Sequence, residues 1–177
     1  MVLDGNSIIN RAYYGVRPLT TRDGFFTHAI FGFLTMLSRL LDEEKPEALC
    51  VAFDRREPTF RHLEYEGYKA TRHAMPEELA MQMPVLKDVL DAMNIPRYEL
   101  AGFEADDLIG TISRKCESAG WDCVVATGDK DSLQLVTEHT TVKLISTRMG
   151  QTTTKGMTPE SFREVYGFAP ILIVGLK

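Results

Sequence analysis

Short apolar runs that end on an aspartate constrain this chain more than any other feature of its sequence. Residues 48–54 read Ala-Leu-Cys-Val-Ala-Phe-Asp, a near-continuous apolar run of the kind found in a strand covered on both faces. Residues 1–4 look like the end of a second buried strand, and 122–127 like a third, followed at once by Gly128-Asp129. Residues 95–100 and 141–145 read as shorter strands. Between these runs the apolar spacing turns helical. The span 27–43 carries Ile30, Phe31, Leu34, Leu37, Leu40 and Leu41 on one face. The span 76–93 opens on Pro76 with Glu77 and Glu78 in its first turn, where the helix dipole favours acids. A helix over 104–119 is closed by Gly120, a short one covers 130–136, and Thr158-Pro159-Glu160 opens a last one that ends near Tyr166-Gly167. Alternation of this kind predicts an α/β fold, a three-layer sandwich around a mostly parallel sheet. At 177 residues the chain makes one domain with a core of its own, and no internal repeat or linker divides it.

Several function classes drop out on composition. No apolar run approaches the roughly 18 residues of a membrane span, and the N-terminus has no basic segment leading into an apolar one. Cys50, Cys116 and Cys123 are odd in number and lack a Cys-x-x-Cys spacing, so they read as reduced core residues of a cytoplasmic protein. The net charge of −5 argues against simple electrostatic binding of nucleic acid. That balance is local, however. Between Arg55 and His73 five Lys/Arg (Arg55, Arg56, Arg61, Lys69, Arg72) face three Glu, with Phe60, Tyr65 and Tyr68 interleaved. The segment is too long for an ordinary strand-to-helix connection, and such segments are usually lids, binding loops or mobile regions.

The acids carry the chemistry. Asp4, Asp54, the Glu104/Asp106/Asp107 set and the Asp129/Asp131 pair all fall at strand ends or at a helix start. In a parallel sheet the C-terminal strand ends share one edge, so these side chains can converge although they are distant in sequence. Gly5 and Gly128 beside them would let the backbone turn sharply. Carboxylates crowded together repel one another unless cations neutralise them, and Mg²⁺ accepts a few carboxylates while retaining water. Two such ions roughly 3.5–4 Å apart serve phosphodiester hydrolysis. No Walker loop, no Gly-x-Gly-x-x-Gly and no Ser or Cys nucleophile beside a His competes with that reading.

Each feature also has a plainer explanation. A strand-end Asp commonly caps a turn or helix, and Glu104, Asp106 and Asp107 suit a first helical turn through the dipole alone. The basic segment could be a solvated face, or could bind phosphate, with Tyr68 stacking on a base and Lys69 and Arg72 gripping one phosphate from a shared helix face. The four histidines, His28, His62, His73 and His139, show no ligand spacing and read as mostly surface residues, and Trp121 as packing.

Taken in order, several stretches match one known family: Asp4-Gly5-Asn6-Ser7, Ala29-Ile30-Phe31-Gly32-Phe33, Phe53-Asp54 and Pro58-Thr59-Phe60-Arg61-His62. Tyr68-Lys69-Ala70-x-Arg72, Gly102-Phe103-Glu104-Ala105-Asp106-Asp107 and Thr127-Gly128-Asp129-Lys130-Asp131 continue the series. The chain resembles the 5′-nuclease domain of bacterial DNA polymerase I, related to flap endonucleases and PIN-like nucleases, from Asp4 to about Gly167. The resemblance implies a Mg²⁺- or Mn²⁺-dependent 5′-3′ exonuclease and flap endonuclease that removes 5′ flaps and RNA primers from DNA. By position it implies Asp4, Asp54, Glu104, Asp106, Asp107, Asp129 and Asp131 as metal-binding acids. Lys69 and Arg72, with Asp4 and Asp54, match the catalytic positions. Tyr68, Lys69 and Arg72 match residues of an arch over 55–75 that contacts DNA, and Arg61 a basic residue at its base. The resemblance also implies a monomer and, in the native gene, a following polymerase domain. Two departures follow. The first strand is short before Asp4, which predicts a loosened sheet there. The chain stops before the family's further acids and its glycine-rich DNA-gripping motif, with Gly175 where an Asp is usual, so it is expected to keep one metal site and lose much of the second. The rival expectations are a catalytically silent DNA-binding fragment and a minimal PIN-type ribonuclease.

Overall fold

The computed structural model describes residues 1–55, 57–61, 74–148 and 151–170. Its centre is a six-stranded sheet of β1 (Val2–Asp4), β2 (Cys50–Ala52), β3 (Arg97–Tyr98), β4 (Cys123–Thr127), β5 (Thr140–Arg148) and β6 (Gln151–Met157). Spatial order is β3-β2-β1-β4-β5-β6. Four neighbouring pairs are parallel, and only β6 runs antiparallel, against β5. The strand order reverses direction between β1 and β4, so the crevice above their C-terminal ends is the topological switch point, where open α/β sheets hold their ligands.

Alternate strand residues feed opposite faces, which accounts for the near-continuous apolar runs. Leu3, Val51, Phe53 and Ala126 point into one cluster, built with α1 (Gly5–Gly15), α2 (His28–Glu44), α3 (Glu77–Ala80) and α4 (Gln82–Ala92). Val2, Ala52, Val125 and Val142 point into the other, with α5 (Ala105–Ser118), a 3₁₀ turn (Lys130–Leu135) and α6 (Pro159–Tyr166). The three layers expected from the sequence are therefore present. The short first strand is not loose: Val2 and Leu3 are fully buried, and β1 is paired on both sides.

Other expectations need adjusting. The helix expected over 76–93 breaks at Met81 into α3 and α4. Pro84 accounts for the break, because its ring has no N–H for the carbonyl four residues earlier and clashes with it. Helix α1 and strand β6 were not anticipated, and β5 runs three residues past the expected end at Ile145. All three cysteines are free thiols, Cys123 buried and Cys50 and Cys116 half-buried, and burial pushes the Cys123 thiol up to about 12. His28 is buried rather than at the surface, and Trp121 is exposed rather than packed. No helix among the described residues is long and apolar enough to cross a membrane.

Candidate active site

The Asp4-Gly5-Asn6-Ser7 stretch binds three strand ends together. Asp4 ends β1 and caps α1, accepting from the Ser7 N–H at 2.9 Å through one oxygen and from the Thr127 hydroxyl at 2.7 Å through the other. Gly5 is fixed by space rather than by a turn, since a Cβ there would collide with the Phe53 ring. The Asn6 amide oxygen accepts the Asp54 N–H at 2.9 Å, holding the loop after β2. The Ser7 hydroxyl accepts the Gly128 N–H at 2.9 Å, holding the loop after β4. One turn on, Arg11 donates to the Gly128 carbonyl and fills the space a Cβ at 128 would need. Neither Gly5 nor Gly128 has a positive φ, so both glycines serve close approach and not the sharp turn expected of them.

The remaining acids arrive as caps. Asp54 accepts the Ala105 N–H at 2.7 Å, at the first turn of α5. Asp129 caps the 3₁₀ turn by accepting from the Asp131 N–H at 2.9 Å, while its own N–H donates to the Thr127 hydroxyl at 3.0 Å. Glu104 is the N-cap residue of α5 and Asp107 accepts the Glu104 N–H at 3.0 Å. Capping and site-building thus coincide. Asp4, Asp54 and Asp129 each accept an N–H at a helix or 3₁₀ start and line one crevice, and Asp106 joins them from the first turn of α5.

Asp4, Asp54, Asp106 and Asp129 line a single cavity of about 430 Å³, together with Asn6, Ser7, Asn10 and Arg11. Asp107 and Asp131 line the neighbouring groove with Arg61, and Asp106 stands on the ridge shared by both. Glu104 is buried behind this ridge. Arg61 is bound to protein, its guanidinium gripping Asp107 at 2.7 and 2.8 Å. Tyr68, Lys69 and Arg72, with most of the expected arch, lie outside the described residues. Arg11 escaped the sequence reading altogether. The signal was its spacing of four from Ser7, which puts both on one helical face once 5–15 is seen as helix.

The electrostatics follow from crowding. Loss of hydration, then the charges of Asp4, Asp129, Asp54 and Glu104, push the Asp106 carboxyl up to about 6, although the residue reaches solvent. Burial likewise holds Asp4 above the usual carboxylate range, against the lowering effect of its bonds to Ser7 and Thr127. Oxygen-only donors under mutual repulsion suit a hard divalent cation. Among the described residues no three acids, histidines or cysteines already converge on one point as a ligand set. The donor chemistry fits, and the repulsion gives a cation its electrostatic advantage.

Comparison with known proteins agrees with this geometry. The family described as "5′-3′ exonuclease, N-terminal resolvase-like domain" matches residues 1–167. DNA polymerase I of Bacillus subtilis (strain 168) is 42% identical over 177 residues, which is 100% of this chain and 20% of that protein. The chain therefore spans about a fifth of the length of such relatives. Among solved structures, the bacteriophage T5 D15 flap endonuclease in a pseudo-enzyme-product complex with DNA and metal ions superposes with TM-score 0.68 at 17% identity, covering 97% of this chain and 61% of that one. T5 5′-exonuclease with bound divalent zinc gives TM-score 0.67 at 18% identity, covering 94% and 60%. These two likenesses establish the fold, and the family match over nearly the whole chain establishes descent: the chain belongs to the N-terminal, resolvase-like domain family of the 5′-3′ exonucleases.

Proposed function

We propose that this chain is a nuclease module that hydrolyses phosphodiester bonds of DNA from 5′ ends and flaps, using Mg²⁺ or Mn²⁺. The observation that carries the reading is the gathering of Asp4, Asp54, Asp106 and Asp129 from four chain segments around one cavity at the switch point. Asp4, Asp54, Asp106 and Asp129, backed by Glu104, would hold the cation. When bound, it would supply Lewis-acid polarisation of the phosphate and a more acidic water. The chain's own residues do the rest. Thr127 and Ser7 fix the Asp4 and Asp129 loops against each other, so the acids are oriented before substrate arrives. Arg11 brings a positive charge to the wall of an otherwise acidic cavity, where it balances charge beside the Asp129 loop. Asp107 and Asp131 stand at the groove beside the site, which Asp106 shares with the cavity. Tyr68, Lys69 and Arg72 are the proposed substrate contacts, and the module is proposed to work as a cytoplasmic monomer attached to a polymerase domain, as the length of its relatives suggests.

The test is cleavage of a 5′-labelled flap substrate with Mn²⁺ at enzyme well above substrate, beside Asp129→Asn. Short labelled products that disappear in the variant are the expected result. No product from the wild-type chain, with substrate still retained in Ca²⁺, would leave a binding fragment instead. Cleavage of single-stranded RNA in preference to the flap would favour the minimal ribonuclease.

A further inference from the structure

The family resemblance assigns Arg61 to nucleic acid and Asp107 to a metal ion. The structure turns them toward each other. The two guanidinium nitrogens reach the two Asp107 oxygens at 2.8 and 2.7 Å, a bidentate pair that fixes both planes. One of those oxygens also accepts the Glu104 N–H at 3.0 Å, so Asp107 is engaged through both of its oxygens. The same guanidinium lies 3.8 Å from the Glu104 carboxylate and sits over the Phe60 ring at 4.5 Å from its centroid. Phe60 in turn packs on Phe103 at 5.8 Å between centroids, and its N–H donates to the Gly102 carbonyl at 3.1 Å. The two short segments 57–61 and 102–107 are thereby docked by a tilted ring pair, a backbone bond and a forked ion pair.

What this docking holds is the first turn of α5. Glu104 precedes it, Asp106 lies inside it and projects to the cavity, and Asp54 grips it from the far side through Ala105. We infer that Arg61 and Asp107 form a clasp that positions Glu104 and Asp106 for the cation, Asp107 acting through this pair rather than as a ligand. Neither residue is catalytic in the strict sense. Both are positioning residues, and the inference rests on the cation reading of the neighbouring cavity. Lysine at 61 would keep the charge but lose the fork, because a single ammonium cannot meet both oxygens in plane.

The experiment is a double-mutant cycle on the full chain with Arg61→Gln, Asp107→Asn and the pair together, with Arg61→Lys and Asp106→Asn beside them. Mn²⁺ affinity is read by electron paramagnetic resonance of the free ion, and thermal unfolding is followed in chelator. The clasp predicts that each single change weakens Mn²⁺ about 10-fold, the scale of losing a residue that orients a ligand. It predicts that the double variant is no worse than the weaker single. Arg61→Lys should fall between wild type and Arg61→Gln in both readouts, and Asp106→Asn should weaken Mn²⁺ without lowering the unfolding temperature in chelator. Weakening by Asp107→Asn with Mn²⁺ affinity untouched in Arg61→Gln, the two effects adding, would overturn the clasp and make Asp107 a ligand. Arg61→Gln that loses DNA retention in Ca²⁺ while Mn²⁺ and unfolding stay at wild-type values would also overturn it and make Arg61 a nucleic-acid contact. If Asp106→Asn leaves Mn²⁺ affinity unchanged, the cation reading itself fails, and the coupling in unfolding temperature alone then decides whether the clasp exists.

Discussion

Asp106 shows how a single side chain can weaken a fold in order to serve a site. Its carboxyl is raised to about 6 by lost hydration and by its acidic neighbours, so the folded state holds its proton more tightly than the unfolded chain does. The sign follows. The penalty is absent below the ordinary value of 3.8, grows as pH rises between 3.8 and about 6, and is fully present above that. Asp106→Asn should therefore raise the unfolding temperature in chelator at pH 7.5. A gain on the order of 1 kcal/mol is expected once screening at this solvent-reaching residue is allowed for, or about 2–4 °C, fading toward pH 4. A scan in which the variant is less stable than wild type at pH 7.5 would show that the crowding costs nothing. At this scale the acids were legible and their neighbours were not. A strand-end aspartate announces itself by position, whereas Arg11 follows Asn6-Ser7-Ile8-Ile9-Asn10, a run with little apolar period. Gly128 suggests a sharp turn because sequence shows the missing side chain and not the guanidinium that takes its place.

Helix α2 illustrates what elements hide. Its apolar stripe was plain, yet the N-cap residue Thr27 makes no side-chain cap bond. The cap comes from Gln82, 53 residues after Ala29 and fully buried, whose amide oxygen accepts from Ala29 and Ile30 at 2.9 and 3.3 Å. Its amide nitrogen donates to the Glu78 carbonyl at 2.7 Å, tying α3 and α4 across the break at Met81. No local pattern could reveal a cap supplied from that distance. Gln82→Met keeps the volume but strands two buried N–H groups, a cost of about 1–3 kcal/mol, so the unfolding temperature should fall by about 2–12 °C. A shift below one degree would mean that other groups satisfy those donors. The same limit explains α1, whose buried face of Ile8, Ile9 and Ala12 is too thin to declare a helix, and β6, whose Thr-rich run needs the β5 ladder to become a strand.

For the whole molecule the decisive fact is where the acids come from. Asp4 ends β1 and Asp129 follows β4, so they flank the switch point, Asp54 follows the next strand, and Asp106 rides on a helix packed against one face of the sheet. A cation that joins them ties together segments more than a hundred residues apart in sequence, so its binding energy belongs to global folding and not to one loop. Linkage sets the size: a ligand at 100 times its dissociation constant stabilises by about 2.7 kcal/mol when the unfolded chain does not bind it, which is about 5–10 °C for a domain of this size. Mn²⁺ should therefore raise the unfolding temperature progressively, chelator should reverse the rise, and Asp4→Asn or Asp129→Asn should abolish most of it. Hydrogen exchange should slow on β1 and β4 together, because both strand ends are held by the same charge. A cation that left the unfolding temperature unchanged, or a rise that survived both substitutions, would move the binding site away from the switch point and remove the link between this topology and the proposed chemistry.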